Sequence, residues 1–118
     1  MIDVVDFSDE AQAQRFFGNI GAFDHLVYTA GETSLTRALA VALAPIRVNA
    51  VCPGVVRTKL WNDMTETDRE AMYRDLGQRL PVGRIGQPED LAHAYVYLMR
   101  EGYSTGQVIV VDGGAVLV

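Results

Sequence analysis

The sequence predicts an α/β protein built on a mainly parallel, four-stranded sheet, and three observations predict it. Short apolar runs alternate with stretches whose apolar residues recur at helical spacing. Capping residues such as Ser8, Thr33, Ser34 and Gln87-Pro88 stand before the helical stretches, and Gly or Pro follows them. The run Ile46-Arg47-Val48-Asn49-Ala50-Val51 breaks off at Pro53-Gly54. An abrupt strand end inside a βα alternation is where open α/β sheets bind ligands; it is equally the mark of plain strand termination.

Taken in order, Ile2–Val5 is the first expected strand, ending at Asp6. Ser8 offers an N-cap for a helix over Asp9–Phe17, with Asp9 and Glu10 in a first turn that favours negative charge and Gly18 and Gly21 at its end. His25–Thr29 is the second strand, closed by Ala30-Gly31. The next helix carries Leu35, Ala38, Leu39, Ala42 and Leu43 at helical spacing, and Pro45 stops it. Ile46–Val51 is the third strand; Pro53 cannot continue a central ladder, and Gly54 permits a sharp turn. A polar helix follows over Thr65–Arg79, with Thr67 and Glu70 spaced as a capping box and a solvated face over Glu66–Glu70. After a loop over Leu80–Gly86, Pro88 suits the first position of the last helix and Glu89 and Asp90 suit its dipole; Leu91, Ala94, Tyr95 and Leu98 form its apolar stripe. Val108–Val111 is a continuous apolar run of the type buried on both faces, before Asp112-Gly113-Gly114. Residues 1–118 read as one domain, its strands joined in sequence by right-handed crossovers.

Composition narrows the function. A net charge of −5 and a pI near 4.8 argue against nucleic acid or an anionic membrane as partner. Of the ten basic residues only Lys59 is a lysine. Cys52 is the single cysteine, so an internal disulfide is excluded and a buried, inert thiol is expected. No signal-peptide pattern follows Met1, and no apolar run approaches the ~18 residues of a membrane span. The expectation is a cytoplasmic protein. His25 and His93 are isolated from other metal-ligating residues, so no metal site is expected.

Four segments together resemble the short-chain dehydrogenase/reductase family. They are Thr29-Ala30-Gly31, Arg47-Val48-Asn49 through Pro53-Gly54 to Thr58, Pro81-Val82-Gly83-Arg84-Ile85-Gly86-Gln87-Pro88-Glu89-Asp90, and Thr105-Gly106-Gln107 through Asp112-Gly113-Gly114. They follow the family's order and cover nearly the whole chain. The resemblance implies a reduced, Rossmann-like, three-layer fold and a parent activity of NAD(P)-dependent alcohol/ketone interconversion. It also implies a cofactor-binding set. Asp6 would meet the adenine, or is an ordinary strand-end carboxylate. Ala30 and Gly31 would line the ribose and nicotinamide side, or form a plain turn. Pro53, Gly54, Val56 (through its backbone) and Thr58 would hold the carboxamide end.

Two departures accompany the resemblance. The family's opening Gly-rich turn, whose backbone approaches the dinucleotide phosphates, has no counterpart; the sequence is expected to start at the family's third strand. The segment bearing the catalytic Ser and the Tyr-x-x-x-Lys pair is missing between Gly31 and Leu35. The residues four after Tyr28, Tyr73, Tyr95, Tyr97 and Tyr103 are Glu32, Gly77, Met99, Glu101 and Gln107. Proton transfer to a substrate oxygen needs a phenol whose pKa is lowered by a nearby cation, so no catalytic residue is assigned and the chain is expected to be inactive as it stands. The alternatives are a non-catalytic, oligomerising interaction module and an engineered, truncated α/β fragment. A homo-oligomer is expected, a dimer through the 88–101 helix and the 107–112 strand, which form a subunit contact in the family.

Overall fold

The computed structural model describes residues 11, 12, 15, 19, 25–28 and 33–118. The expected strand Ile2–Val5 lies outside them. Within the expected helix Asp9–Phe17 the described residues are helical, and so is Asn19, one residue past the predicted stop. The order is then β1 (His25–Tyr28), α1 (Thr33–Ala42), β2 (Arg47–Pro53), a 3₁₀ turn over Lys59–Trp61, α2 (Glu66–Arg79), α3 (Pro88–Arg100), β3 (Val108–Val111) and a 3₁₀ turn over Ala115–Leu117.

The three described strands form one parallel sheet in sequential order, β1-β2-β3. His25 stands opposite Arg47 and Tyr28 opposite Ala50, while Ala50 stands opposite Val108 and Pro53 opposite Val111. β2 is thus central, and its side chains alternate between two cores. On one face the fully buried Val48 and Ala50 pack with Leu35, Leu39 and Leu43 from α1 and its C-terminal end. On the other, Val51 packs with Val56 and with Leu91 and Leu98 of α3, joined by Ile109 and Val111. The result is a helix–sheet–helix sandwich. Burying a side chain the size of Leu98 favours folding by roughly 1.5–3 kcal/mol.

Asn49 shares the α3 face of β2 and is fully buried. Its amide donates to the Ser104 carbonyl at 2.9 Å, and its side-chain oxygen accepts from the Gln107 N–H at 3.0 Å. The neighbouring backbone closes the same seam: the Val48 N–H donates to the Thr105 hydroxyl, and the Gly106 N–H to the Val48 carbonyl. Arg47 donates to the Leu98 and Ser104 carbonyls. The Arg-Val-Asn triplet therefore ties the segment between α3 and β3 onto the central strand.

Four expectations need correction. Pro53 does lie in the ladder of the central strand. The Ala50 and Gly54 N–H groups donate toward β3, to Gln107 and Val111, so position 53 has the opposite parity. The missing Pro53 N–H therefore faces away from β3, and the β2–β3 ladder loses no bond to it. The helix α2 is capped by Thr65 rather than Thr67. The Thr65 hydroxyl accepts from the Asp68 N–H at 3.2 Å and donates to the Asp68 carboxylate at 2.6 Å, while Glu70 turns to Arg57. Val110 is 48% exposed rather than covered on both faces, because β3 lies at the sheet's edge among the described residues. Cys52 is a free, partly exposed thiol, not a fully buried one.

Candidate nucleotide site

The site starts where β2 ends. The Gly54 N–H donates to the Val111 carbonyl, which holds the turn against the end of β3. A Cβ at Gly54 would stand 2.6 Å from the Asp112 Cα, a distance real Cβ atoms do not tolerate. Glycine is required here by close approach of two backbones. The Asp112 carboxylate in turn accepts from the Gly114 and Val116 N–H groups, fixing the turn below.

The chain then runs through Val55 and Val56 alongside the loop before α3. Val56 forms a parallel bridge with Gly86: the Gly86 N–H donates to the Val55 carbonyl at 3.1 Å, and the Arg57 N–H to the Gly86 carbonyl at 3.0 Å. In an extended segment this geometry turns the Val56 N–H and carbonyl to the opposite side. The carbonyl accepts from the Trp61 indole at 3.0 Å. The Val56 N–H has no partner among the described residues, although Val56 is only 8% exposed. Thr58 caps the following 3₁₀ turn, its hydroxyl accepting from the Leu60 N–H.

Two arginine–carboxylate forks brace these segments. Arg57 donates both terminal nitrogens to Glu70 at 2.6 and 2.8 Å and lies 4.3 Å above the Tyr73 ring. That hydrogen bonding holds the Glu70 carboxyl below its ordinary pKa and raises that of the guanidinium. Arg84 grips Asp90 in the same way at 2.7 and 2.9 Å, and Asp90 also accepts the Gln87 N–H at the start of α3. The Asp90 carboxyl is held well below the usual carboxylate range, first by Arg84 and then by Gln87. Arg84 thereby ties the loop before α3 to the first turn of that helix.

Pro53, Gly54, Val56 and Thr58 converge on one cavity of about 320 Å³. The other described lining residues are mainly apolar: Leu60 and Trp61 from the 3₁₀ turn, and Pro88, Leu91 and Tyr95 from α3. The sequence pointed to the four residues on the β2 side. Leu91 and Tyr95 were legible only as part of the core stripe of α3, and nothing in their spacing showed that one end of that stripe lies open. Trp61 is tied to Val56 and also forms wall. Asp6, Ala30 and Gly31 lie outside the described residues, so they are not placed relative to this cavity.

The cavity suits a flat, mostly apolar ring with a polar substituent. Its walls give it hydrophobic faces, and the unpartnered Val56 N–H and the Thr58 hydroxyl are the groups able to meet an amide. Those features fit the nicotinamide end of a dinucleotide. They do not supply an acid–base group. Among the described residues of the lining Tyr95 is the only titratable side chain, burial pushes its pKa up, and no described Lys, Arg or His lines the cavity with it. A phenol so placed remains neutral. Among the described residues no group of three or more His, Cys, Asp or Glu side chains is arranged to hold a metal ion, and no helix is long and apolar enough to cross a membrane.

A parallel α/β sandwich with a ring-sized cavity at the carboxyl end of its central strand defines a Rossmann-like protein. Comparison with known proteins gives the family. Residues 12–116 match the family model described as enoyl-(acyl carrier protein) reductase. The chain is 46% identical over 82 residues to the short-chain dehydrogenase/reductase ATR9 of Stachybotrys chlorohalonatus, covering 70% of this chain and 32% of that one. It is 39% identical over 103 residues to the 3-oxoacyl-[acyl-carrier-protein] reductase FabG of Aquifex aeolicus, covering 84% and 40%. A crystal structure of a small-chain dehydrogenase in complex with NADPH superposes with a TM-score of 0.78 at 31% identity, over 97% of this chain and 83% of the other. The chain belongs to the short-chain dehydrogenase/reductase family. It spans well under half the length of the two curated relatives named above.

Proposed function

We propose that this chain carries the nicotinamide-binding half of an NAD(P)-dependent alcohol/ketone oxidoreductase site, and that the chain as given does not transfer hydride by itself. The observation that supports the first part is the convergence of Pro53, Gly54, Val56 and Thr58 on one ring-sized cavity. The nicotinamide, when bound, supplies the hydride chemistry. The chain's own residues orient it: the apolar walls exclude water from the ring, the Val56 N–H and the Thr58 hydroxyl hydrogen-bond the carboxamide, and the glycine at 54 lets the backbone approach. Asp6 at the adenine, and Ala30 and Gly31 on the ribose and nicotinamide side, complete the proposed cofactor set.

The second part rests on the missing proton donor. Hydride delivery to a ketone leaves an alkoxide that must be protonated as it forms. No tyrosine in the sequence has a lysine four residues on, Lys59 is the only lysine, and Tyr95, the one tyrosine among the described lining residues, is made a weaker acid by burial. We assign the chain to the cytoplasm, in keeping with its single unpaired cysteine.

A non-catalytic, oligomerising role is the second reading. It is favoured by the outer face of α3, where Val96 and Met99 are 41% and 64% exposed, and by the edge of β3, which no strand among the described residues pairs. The proposed assembly is a dimer through the 88–101 helix and the 107–112 strand.

Trp61 is the only tryptophan and lines the cavity, so its fluorescence tests the site. Saturable quenching by NADH or NADPH at micromolar concentration is expected; an unchanged signal up to millimolar cofactor would overturn the cofactor reading. Purified protein with NADPH and a panel of ketones is expected to show no turnover, and reproducible turnover would refute the inactivity.

A further inference from the structure

The apolar cavity has a charged neighbour. A wider groove of about 510 Å³ shares Thr58 and Pro88 with it. Among the described residues, Arg57, Lys59 and Arg69 line this groove against a single carboxylate, Glu70. Both Glu70 oxygens are already taken by Arg57. Lys59 and Arg69 form no ion pair among the described residues, and the acids of the adjoining turns, Asp63, Glu66 and Asp68, do not line the groove. The described residues of the lining therefore carry a surplus of two positive charges in a chain whose net charge is −5. A cleft lined by one sign of charge focuses the field and raises the local concentration of the opposite ion.

The two cations are set there by rigid elements. Lys59 opens the 3₁₀ turn that Thr58 caps, and Arg69 sits in α2, where its N–H donates to the Thr65 carbonyl. The Arg57 fork joins the two elements through Glu70. The Thr58 hydroxyl and the Asn62 amide add neutral donors to the same groove.

We propose that this groove is an oxyanion subsite in which Lys59 and Arg69 hold the carboxylate or phosphate of a ligand whose ring or apolar part occupies the 320 Å³ cavity. The proposal rests on reading that cavity as a ligand site but concerns different residues. The oxyanion has two possible sources, a phosphate of the dinucleotide or an acidic end of the substrate, and they are separated by whether oxyanion and cofactor bind together.

Inorganic phosphate is the probe, titrated into the full chain at low ionic strength while backbone amides are followed by NMR. Saturable shifts are expected at Thr58–Asn62 and at Arg69 and Glu70. Lys59→Gln and Arg69→Gln are each expected to weaken phosphate about threefold, and the double variant about tenfold, in line with partly exposed charge pairs. Lys59→Arg retains binding, as does Arg100→Gln on the far end of α3. Thermal melts confirm that each variant is folded. Wild-type phosphate affinity in the folded double variant, or shifts that never saturate, would overturn the proposal. Repeating the titration with saturating NADPH names the source: loss of the phosphate shifts assigns the subsite to the dinucleotide, and their persistence beside quenched Trp61 assigns it to the substrate. If NADPH leaves Trp61 unchanged, the cofactor reading fails while the phosphate result still decides this one.

Discussion

Asn49 shows how much a single polar side chain can carry inside a small sheet. Its amide meets one carbonyl and one N–H from a segment more than fifty residues away, and it is wholly enclosed. Replacement by Leu keeps much of the volume but leaves the Gln107 N–H without its acceptor and the Ser104 carbonyl with only the longer bond from Arg47. Asn49→Leu is therefore expected to cost about 2–4 kcal/mol, read as a lower urea midpoint with an unchanged slope. Gln107→Ala, which keeps the backbone N–H and loses only an exposed side-chain bond to Thr105, should stay within about 0.5 kcal/mol of wild type. Asp90 gives a pH-dependent counterpart. Its folded pKa lies below its unfolded value, so its contribution is fully present above the unfolded pKa and is lost as pH falls through the folded one. The melting-temperature gap between wild type and Asp90→Asn should be constant from neutral pH down to about 5 and should narrow on further acidification. A gap that is the same at pH 3 as at pH 7 would contradict the Arg84–Asp90 assignment.

At the scale of elements, the legible parts are those where local chemistry and burial agree. Pro88, Glu89 and Asp90 announce α3 because a proline at the first position, a negative first turn and an apolar stripe all point the same way. The run of β2 is legible as a strand because both of its faces are covered. Val110 was not, because an apolar run looks the same in a central and an edge strand; only the sheet order decides which face is open. The cap of α2 was misread for a different reason. Thr65-x-x-Asp68 and Thr67-x-x-Glu70 offer similar chemistry two residues apart, and the choice was made by Arg57, whose guanidinium claims Glu70 from thirteen residues away. Of the candidate site, the β2 side could be read from the Pro-Gly break and the family resemblance, whereas the α3 wall depends on where a helix docks. Gly54 joins the two scales. Gly54→Ala should push the turn away from Asp112, at a cost of about 1–3 kcal/mol, and should weaken NADPH quenching of Trp61 at least as much as it lowers stability. Normal quenching in a folded Gly54→Ala protein would remove this turn from the site.

For the molecule as a whole, the open questions are its edges. β3 presents an unpaired row of backbone groups among the described residues, and α3 shows Val96 and Met99 on the side away from the core. A second copy would cover both. Sedimentation over a concentration series is expected to show a dimer, shifted toward monomer by Met99→Glu but not by Val41→Glu on the outer face of α1, where Val41 is 81% exposed. A monomer at all concentrations would refute the assembly.

The seam between β2 and the chain beyond α3 also sets an order of events in time. Asn49 reaches partners 55 and 58 residues ahead, and the turn at Gly54 rests on Val111 and Asp112. Closing loops of that length costs conformational entropy before any contact repays it. On a ribosome the upper lip of the cavity would leave the tunnel well before the strand that supports it. Until Val108–Val111 arrives, β2 has an open edge toward the solvent, and the pocket exists only as a sequence waiting for its floor.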